Sequence, residues 1–261
     1  MERLSGEPDS ATYSPGVDRA LEILERLGAS DGGLTLSELS ARLGFPKNAV
    51  FRITNTLKAR GYLARDEKTL RFRLTEKLLR LSQPRVEGKG LLEASMAGMR
   101  ALRDECRETV QIGRRFGDEG VILEQVEGLH PLRISVDPGL RFPLHNNAPG
   151  KLLLAFLPDA ARAATLKRIP MPASTPRTLT DRHELARECE RIREQGWSVD
   201  FAEADEGIHC VAAPIVDPHG ELLAALWISA PSRRLPRAAF AEAGAQVKRA
   251  AARISEDLRT P

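Results

Sequence analysis

The tightest constraint on what this chain can fold into lies between Thr35 and Gly61, where two short helices are punctuated almost residue by residue. Thr35 is followed three positions later by Glu38, a capping-box pair whose side chains answer the free amides of a helix start, and Leu36, Leu39 and Leu43 supply an apolar face. Gly44 suits the left-handed stop of that helix. Pro46 pre-sets the backbone for a new first turn, after which Val50, Ile53 and Leu57 form one buried stripe that ends at Gly61. Upstream, Val17, Leu21, Leu24 and Leu27 predict an amphipathic helix over Asp18 to Ala29, broken by Gly32 and Gly33. Downstream, Tyr62 to Arg65 and Leu70 to Leu74 read as two short strands around the turn Asp66-Glu67-Lys68-Thr69. Three helices followed by a hairpin make a winged helix-turn-helix, mostly α with a β-hairpin wing.

Charge says what that unit would touch. The whole chain sums to only +3, but from Arg42 to Arg80 eleven basic residues face three acidic ones, a local +8. From Ser82 onward 25 basic residues balance 25 acidic ones. The face of the third helix opposite its buried stripe carries Lys47, Asn48, Phe51, Arg52 and Asn55, with Lys58 further along, and the hairpin carries Arg65, Lys68, Arg71 and Arg73. Apart from Phe51, these are donors that bond phosphate oxygens and base edges in a major groove. A charge run by itself is equally a solvated face of a small helical domain; its position on a helix plus a wing favours double-stranded DNA. Paired winged helices read the half-sites of a palindromic operator.

The polar stretch Ser82 to Gly90, with Pro84, Gly88 and Gly90, predicts a domain boundary. Leu92, Met96, Met99 and Leu102 place a helix over Leu91 to Cys106, which either bridges domains, pairs with a second chain or packs in a core. Beyond it, runs at Thr109 to Arg115, Gly120 to Glu127, Leu132 to Val136, Gly150 to Leu157, Asp181 to Gln195, Ser198 to Glu203, Cys210 to Val216 and Leu222 to Ser229, then a closing helix from Ala238 to Leu258, suggest an α+β domain on an antiparallel sheet. The expected organisation is a loose tail over 1–13, a DNA-binding domain over 14–81, a linker and linker helix over 82–105, and a second domain over 106–261. No apolar run is long enough to span a membrane, and the first residues hold no secretory stretch, so a cytoplasmic location is expected. Cys106, Cys189 and Cys210 are three widely spaced cysteines without a CxxC pair, read as free thiols.

Five ordered motifs then match a known family: VDRALEILERL; LSELSARLGFPKNAVFRITNTLKARGYL; ETVQIG; LRFPLHNNAPGKLLLAFLP; and IREQGWSVDFAEADEGIHCVAAPIVDPHG with LLAALWISAP. From about Ser14 to Ser255 the chain resembles the IclR family of bacterial transcription regulators. The resemblance implies a winged-helix DNA-binding domain, a linker helix and a C-terminal GAF-like domain that binds a small effector, in a homodimer or dimer of dimers. It also implies an effector site at Gly150, Lys151, Asp200, Cys210 and Ser229, with the amides of Gly150 and Lys151 free at a helix start and suited to an anionic group. Trp227, on the same strand face as Ser229, stands where some relatives have a small polar residue, which implies a tighter pocket or a ring to stack on. The effector expected is a carboxylate or an aromatic compound, and no cofactor is implied. His209 replaces an arginine common in relatives, and Phe51 a histidine or tyrosine.

Plainer readings stand beside these. Cys210 on an apolar strand is also a small buried hydrophobe, Asp200 also caps a turn, and His145 also serves as a structural histidine. The alternative function is a cysteine-dependent enzyme using Cys210 with His145 or His209 and Asp200. Adjacent strand residues point to opposite faces, so His209 and Cys210 do not meet without a bend. The scattered His and Cys residues do not suggest a metal site.

Overall fold

A computed structural model describes residues 14–30, 32–75, 77–81, 85–86 and 89–259. The tail expected over 1–13 and much of the Ser82 to Gly90 linker lie outside them. The chain divides into two units, Met1–Ser82 and Gln83–Pro261.

The first unit runs α1 (Pro15–Gly28), α2 (Leu36–Leu43), α3 (Lys47–Ala59), β1 (Leu63–Arg65), β2 (Phe72–Leu74) and α4 (Lys77–Leu81). The capping box is formed: Glu38 N–H donates to Thr35 Oγ1 at 3.3 Å, and Thr35 N–H to Glu38 Oε2 at 2.7 Å. Gly44 ends α2 at a φ of 69°, which permits the short turn into α3. Ile23, Leu27, Leu34, Leu39, Val50, Leu63 and Phe72 form one core. Val17 and Leu21, read from periodicity as apolar-face residues of α1, are exposed. β1 and β2 pair antiparallel. Leu34 extends the pairing: its N–H donates to Phe72 O at 3.1 Å and its carbonyl accepts from Phe72 N–H at 2.8 Å. Gly33 permits this approach, because at its φ of 72° a Cβ would sit 2.4 Å from Phe72 O. The second strand starts at Phe72, not at Leu70, since the φ of Leu70 is 56° and the turn before it is closed by Asp66 accepting from the Lys68 and Thr69 amides.

The second unit opens with two-residue strands β3 (Arg85–Val86) and β4 (Lys89–Gly90), then α5 (Leu91–Cys106). It continues through β5 (Thr109–Phe116), β6 (Glu119–Val126), β7 (Arg141–Pro143), α6 (Ala148–Ala155), α7 (Asp159–Arg168), α8 (Arg182–Gln195), β8 (Ser198–Phe201), β9 (Ile208–Val216), β10 (Leu222–Pro231), a 3₁₀ turn (Arg237–Ala239) and α9 (Phe240–Arg259). Six strands make one antiparallel sheet in the order β7-β6-β5-β10-β9-β8. Period-two alternation sends Val211, Ala213, Leu226 and Ile228 to one face with Met99 and Leu102 of α5 and Val247 and Ile254 of α9. Cys210, Ala212, Ala225 and Trp227 go to the other face with Leu152 of α6 and Leu185 and Ile192 of α8. Helices therefore cover both faces, which is why β9 and β10 read as nearly continuous apolar runs.

One reading of this half needs correction, and two elements went unread. Leu132 to Val136 is not a strand; it crosses as a loop, tied by Thr109 Oγ1 donating to Ile134 O at 2.5 Å and Val136 N–H donating to Gln125 Oε1 at 3.1 Å. β7 has only three residues, too few to show a period, and α7 (DAARAATLKR) buries only Thr165 and Leu166, too little apolar surface to show a stripe.

Candidate functional site

In the first unit, α3 presents Lys47, Asn48, Phe51, Arg52, Asn55 and Lys58 to solvent, with Phe51 50% exposed, while Val50 and Thr54 turn inward. Thr54 Oγ1 donates back to Val50 O at 2.8 Å, so its polarity is spent within the helix. The hairpin cations separate into three kinds. Lys68 and Arg73 are exposed. Arg65 is half-buried with its guanidinium 5.4 Å from the Phe72 ring centroid. Arg71 donates to Gly33 O at 2.7 Å and to Glu38 Oε1 at 3.1 Å. Arg71 was expected to contact phosphate; its fork is instead taken up in tying the wing to the start of α2. The hydrogen bonds from the Thr35 amide and hydroxyl, and the charge of Arg71, hold the Glu38 carboxyl below the usual carboxylate range.

In the second unit the expected effector residues form one buried polar seam between the sheet and α6. Register places Asp200 opposite Cys210 and Cys210 opposite Ser229 across β8, β9 and β10. Cys210 Sγ lies 3.3 Å from Ser229 Oγ, which donates to Gln111 Oε1 on β5 at 2.7 Å. Trp227, 3% exposed, stands edge-on to Phe142 with centroids 5.8 Å apart, and Gly113 makes room for it, since a Cβ there would meet the indole at 2.9 Å. From α6, Lys151 is 1% exposed; its ammonium bonds the Glu203 carboxylate and lies 3.6 Å from Glu188 Oε1. Asp200 Oδ1 accepts from Glu203 N–H at 2.6 Å. Burial pushes the Asp200 carboxyl up to about 7, with the Glu203 charge adding to the rise and the Glu203 amide and Lys151 opposing it.

The amides of Gly150 and Lys151 are not the free anion-binding pair expected. Asn147 caps the helix, accepting from Gly150 N–H at 2.8 Å, and Lys151 N–H donates to Asn147 O at 3.0 Å. Sequence reading also missed Gln111, Glu188 and Glu203. One signal pointed to the acids: a lysine inside the apolar run Gly150 to Leu157 requires a buried carboxylate partner.

Neither His145 nor His209 hydrogen-bonds the Cys210 thiol, whose partner is Ser229 Oγ. Burial and the Asp200 charge push that thiol up, away from the thiolate form. His209 points to the opposite face, its Nδ1 2.8 Å from Leu235 O and its ring against Phe201 and Phe240. Among the described residues no group of three or more His, Cys, Asp or Glu is placed to hold a metal ion, and no helix is long and apolar enough to cross a membrane. A cleft of about 210 Å³ beside Arg114, Leu153 and Leu222 and a groove of about 420 Å³ beside Pro214, Lys248 and Arg259 lie away from the seam.

A winged helix with an exposed basic reading face, joined in one chain to a sheet domain with a buried polar seam, defines a transcription regulator. Residues 16–67 match the IclR helix-turn-helix domain and residues 85–256 the bacterial transcriptional regulator IclR C-terminal domain. The chain is 31% identical over 255 residues to the HTH-type transcriptional regulator KdgR of Escherichia coli K12, covering 98% of this chain and 95% of that one. It is similar to the crystal structure of Thermotoga maritima IclR, with a TM-score of 0.68, 27% identity, and coverage of 94% and 98%. It shares the fold of an IclR homologue of Microbacterium hydrocarbonoxydans solved with 4-hydroxybenzoate, at a TM-score of 0.74, 23% identity, and coverage of 94% and 99%. The chain belongs to the IclR family: it is a DNA-binding transcriptional regulator of the bacterial IclR type.

Proposed function

We propose that two copies of this chain present α3 to successive major grooves of a palindromic operator, and that a small organic molecule held in the polar seam of the C-terminal unit controls the complex. The observation that carries this reading is the pairing of an exposed, donor-rich α3 with a buried polar seam in an otherwise apolar interior. In this reading Lys47, Asn48, Phe51, Arg52 and Asn55 meet base edges and nearby phosphates, and Lys58, Arg65, Lys68 and Arg73 bind backbone. Gly150, Lys151, Asp200, Cys210, Trp227 and Ser229 enclose the effector, with Trp227 and Phe142 offering ring edges and faces to an aromatic skeleton. Binding of 4-hydroxybenzoate by a protein of the same fold supports a ligand of this size. The effector acts by preferring one arrangement of the dimer, for which coupling of about 1 to 3 kcal/mol is typical. The chain carries out no catalysis and works in the bacterial cytoplasm, where its operator lies. The reading assigns residues 14–81 to DNA, 82–105 to the connection and 106–261 to the effector.

The test is fluorescence anisotropy on a duplex selected from a random pool, against scrambled DNA, over a salt series. Lys68→Ala weakens both duplexes alike and lowers the salt slope by about one unit. Arg52→Ala costs about 1 to 3 kcal/mol on the selected duplex and much less on the scrambled one. Arg71→Ala acts differently, because its bonds lie within the protein: it lowers the unfolding stability of the first unit by about 1 to 3 kcal/mol. Equal losses on both duplexes for Arg52→Ala would remove α3 as the sequence reader.

A further inference from the structure

One large side chain on the reading face of α3 has no polar atom. Phe51 is 50% exposed. Among the described residues, Val50, Ile53 and Leu57 of α3 are packed into or against the core of the first unit, and Phe51 is not. Phe45, just before α3, is packed against that core and holds the Arg19 guanidinium 5.4 Å from its ring centroid. The place of the Phe51 ring is what makes it informative. A helical turn away on the same face lie Lys47 and Asn48 on one side and Asn55 on the other, all exposed, with Arg52 alongside. Phe51 is the fifth residue of α3, within the opening turns with which a recognition helix meets base edges.

The hydroxyls of α3 do not compete for that position. Thr54 Oγ1 donates to Val50 O at 2.8 Å and Thr56 Oγ1 to Arg52 O at 2.9 Å, so both are used within the helix. A base pair offers hydrogen-bond donors and acceptors to the major groove, and one bulky apolar group, the C5-methyl of thymine. A phenyl ring laid over guanine O6 and N7, or over the cytosine N4 amine, takes water from those atoms and returns no hydrogen bond. Laid over a thymine methyl, it removes apolar surface from water on both sides of the contact. We propose that Phe51 reads a thymine methyl at one position of each half-site, so that the centre of the reading face selects T·A without a hydrogen bond. This rests on α3 being the recognition helix and adds the base that its centre prefers. A ring seated on backbone sugars, or in a contact between protein chains, would give no dependence on a single methyl.

The test withdraws that methyl alone. In the selected duplex each thymine is replaced in turn by deoxyuridine, at equivalent positions of both half-sites, and anisotropy is measured with the full chain. For the unaltered chain one such pair of replacements weakens binding by about fifteenfold, about fourfold for each methyl lost from the contact. Phe51→Ala and Phe51→Gln bind the parent duplex more weakly and bind its thymine and uracil forms equally. Two variants are used so that the comparison survives if one of them fails to fold. No thymine whose methyl counts for the unaltered chain, or a preference for thymine that the variants retain, overturns the proposal. Arg52→Ala separates the two ways of failing. Where no methyl counts but Arg52→Ala still costs far more on the selected duplex than on the scrambled one, α3 remains the sequence reader and only the role of Phe51 is lost. Where no methyl counts and Arg52→Ala costs the same on both, the reading of α3 falls with it.

Discussion

Lys151→Met destabilises the C-terminal unit by about 3 to 5 kcal/mol, the usual consequence of removing one member of a buried ion pair. The Glu203 carboxylate would stay where it is, almost fully enclosed, with the cation gone and one oxygen already lacking a donor. The readout is specific, because both tryptophans, Trp197 and Trp227, belong to this unit, so indole fluorescence in urea reports its unfolding alone. Lys151→Met with Glu203→Met together recovers most of the loss, since two apolar side chains of similar size need no partner. A single-variant loss below about 1 kcal/mol would mean that the pair is solvated and that the seam is not the closed site described above.

Asp200→Asn has the opposite sign and depends on pH. The aspartate carboxyl titrates at 3.8 when unperturbed and at about 7 in the fold, so the native state holds a proton that the unfolded chain has already released. Stability from this group is complete below about pH 4, falls as pH rises toward 7, and is flat above. Three units correspond to about 4 kcal/mol as an upper figure. Asparagine keeps an oxygen for the Glu203 amide and has no charge to bury. The variant is therefore more stable than the parent at pH 8 by about 2 to 4 kcal/mol and nearly equal to it at pH 4.5, measured by the same urea titrations. A difference that does not change with pH would show that Asp200 is not the group that titrates there.

The reading of the first unit succeeded because its signals are local. Thr35, Glu38, Gly44 and Pro46 each act within a few residues, and the capping box and left-handed stop form where spacing placed them. Arg71 could not be read in the same way: its partners Gly33 and Glu38 lie more than thirty positions away, so only the folded chain takes it off the list of free cations. The second unit shows the same division. Short apolar runs placed Cys210, Trp227 and Ser229 on their strands, and register then aligned Cys210 with both Asp200 and Ser229. Glu203 was hidden because its role depends on Lys151, 52 residues earlier. The Leu132 to Val136 loop read as a strand because its side chains fit one, yet its polar ties to Thr109 and Gln125 are irregular.

The bond set around Gly33, Leu34 and Glu38 has a mechanical meaning for DNA reading. Through Phe72 and Arg71 the hairpin is stitched to the same short stretch from which α2 springs, so hairpin and helix start behave as the two jaws of a fixed-gap caliper. In the complex proposed above, a duplex seated against one jaw would meet the other at a set span, and sequences whose grooves are too narrow or too wide would be penalised before any base is contacted.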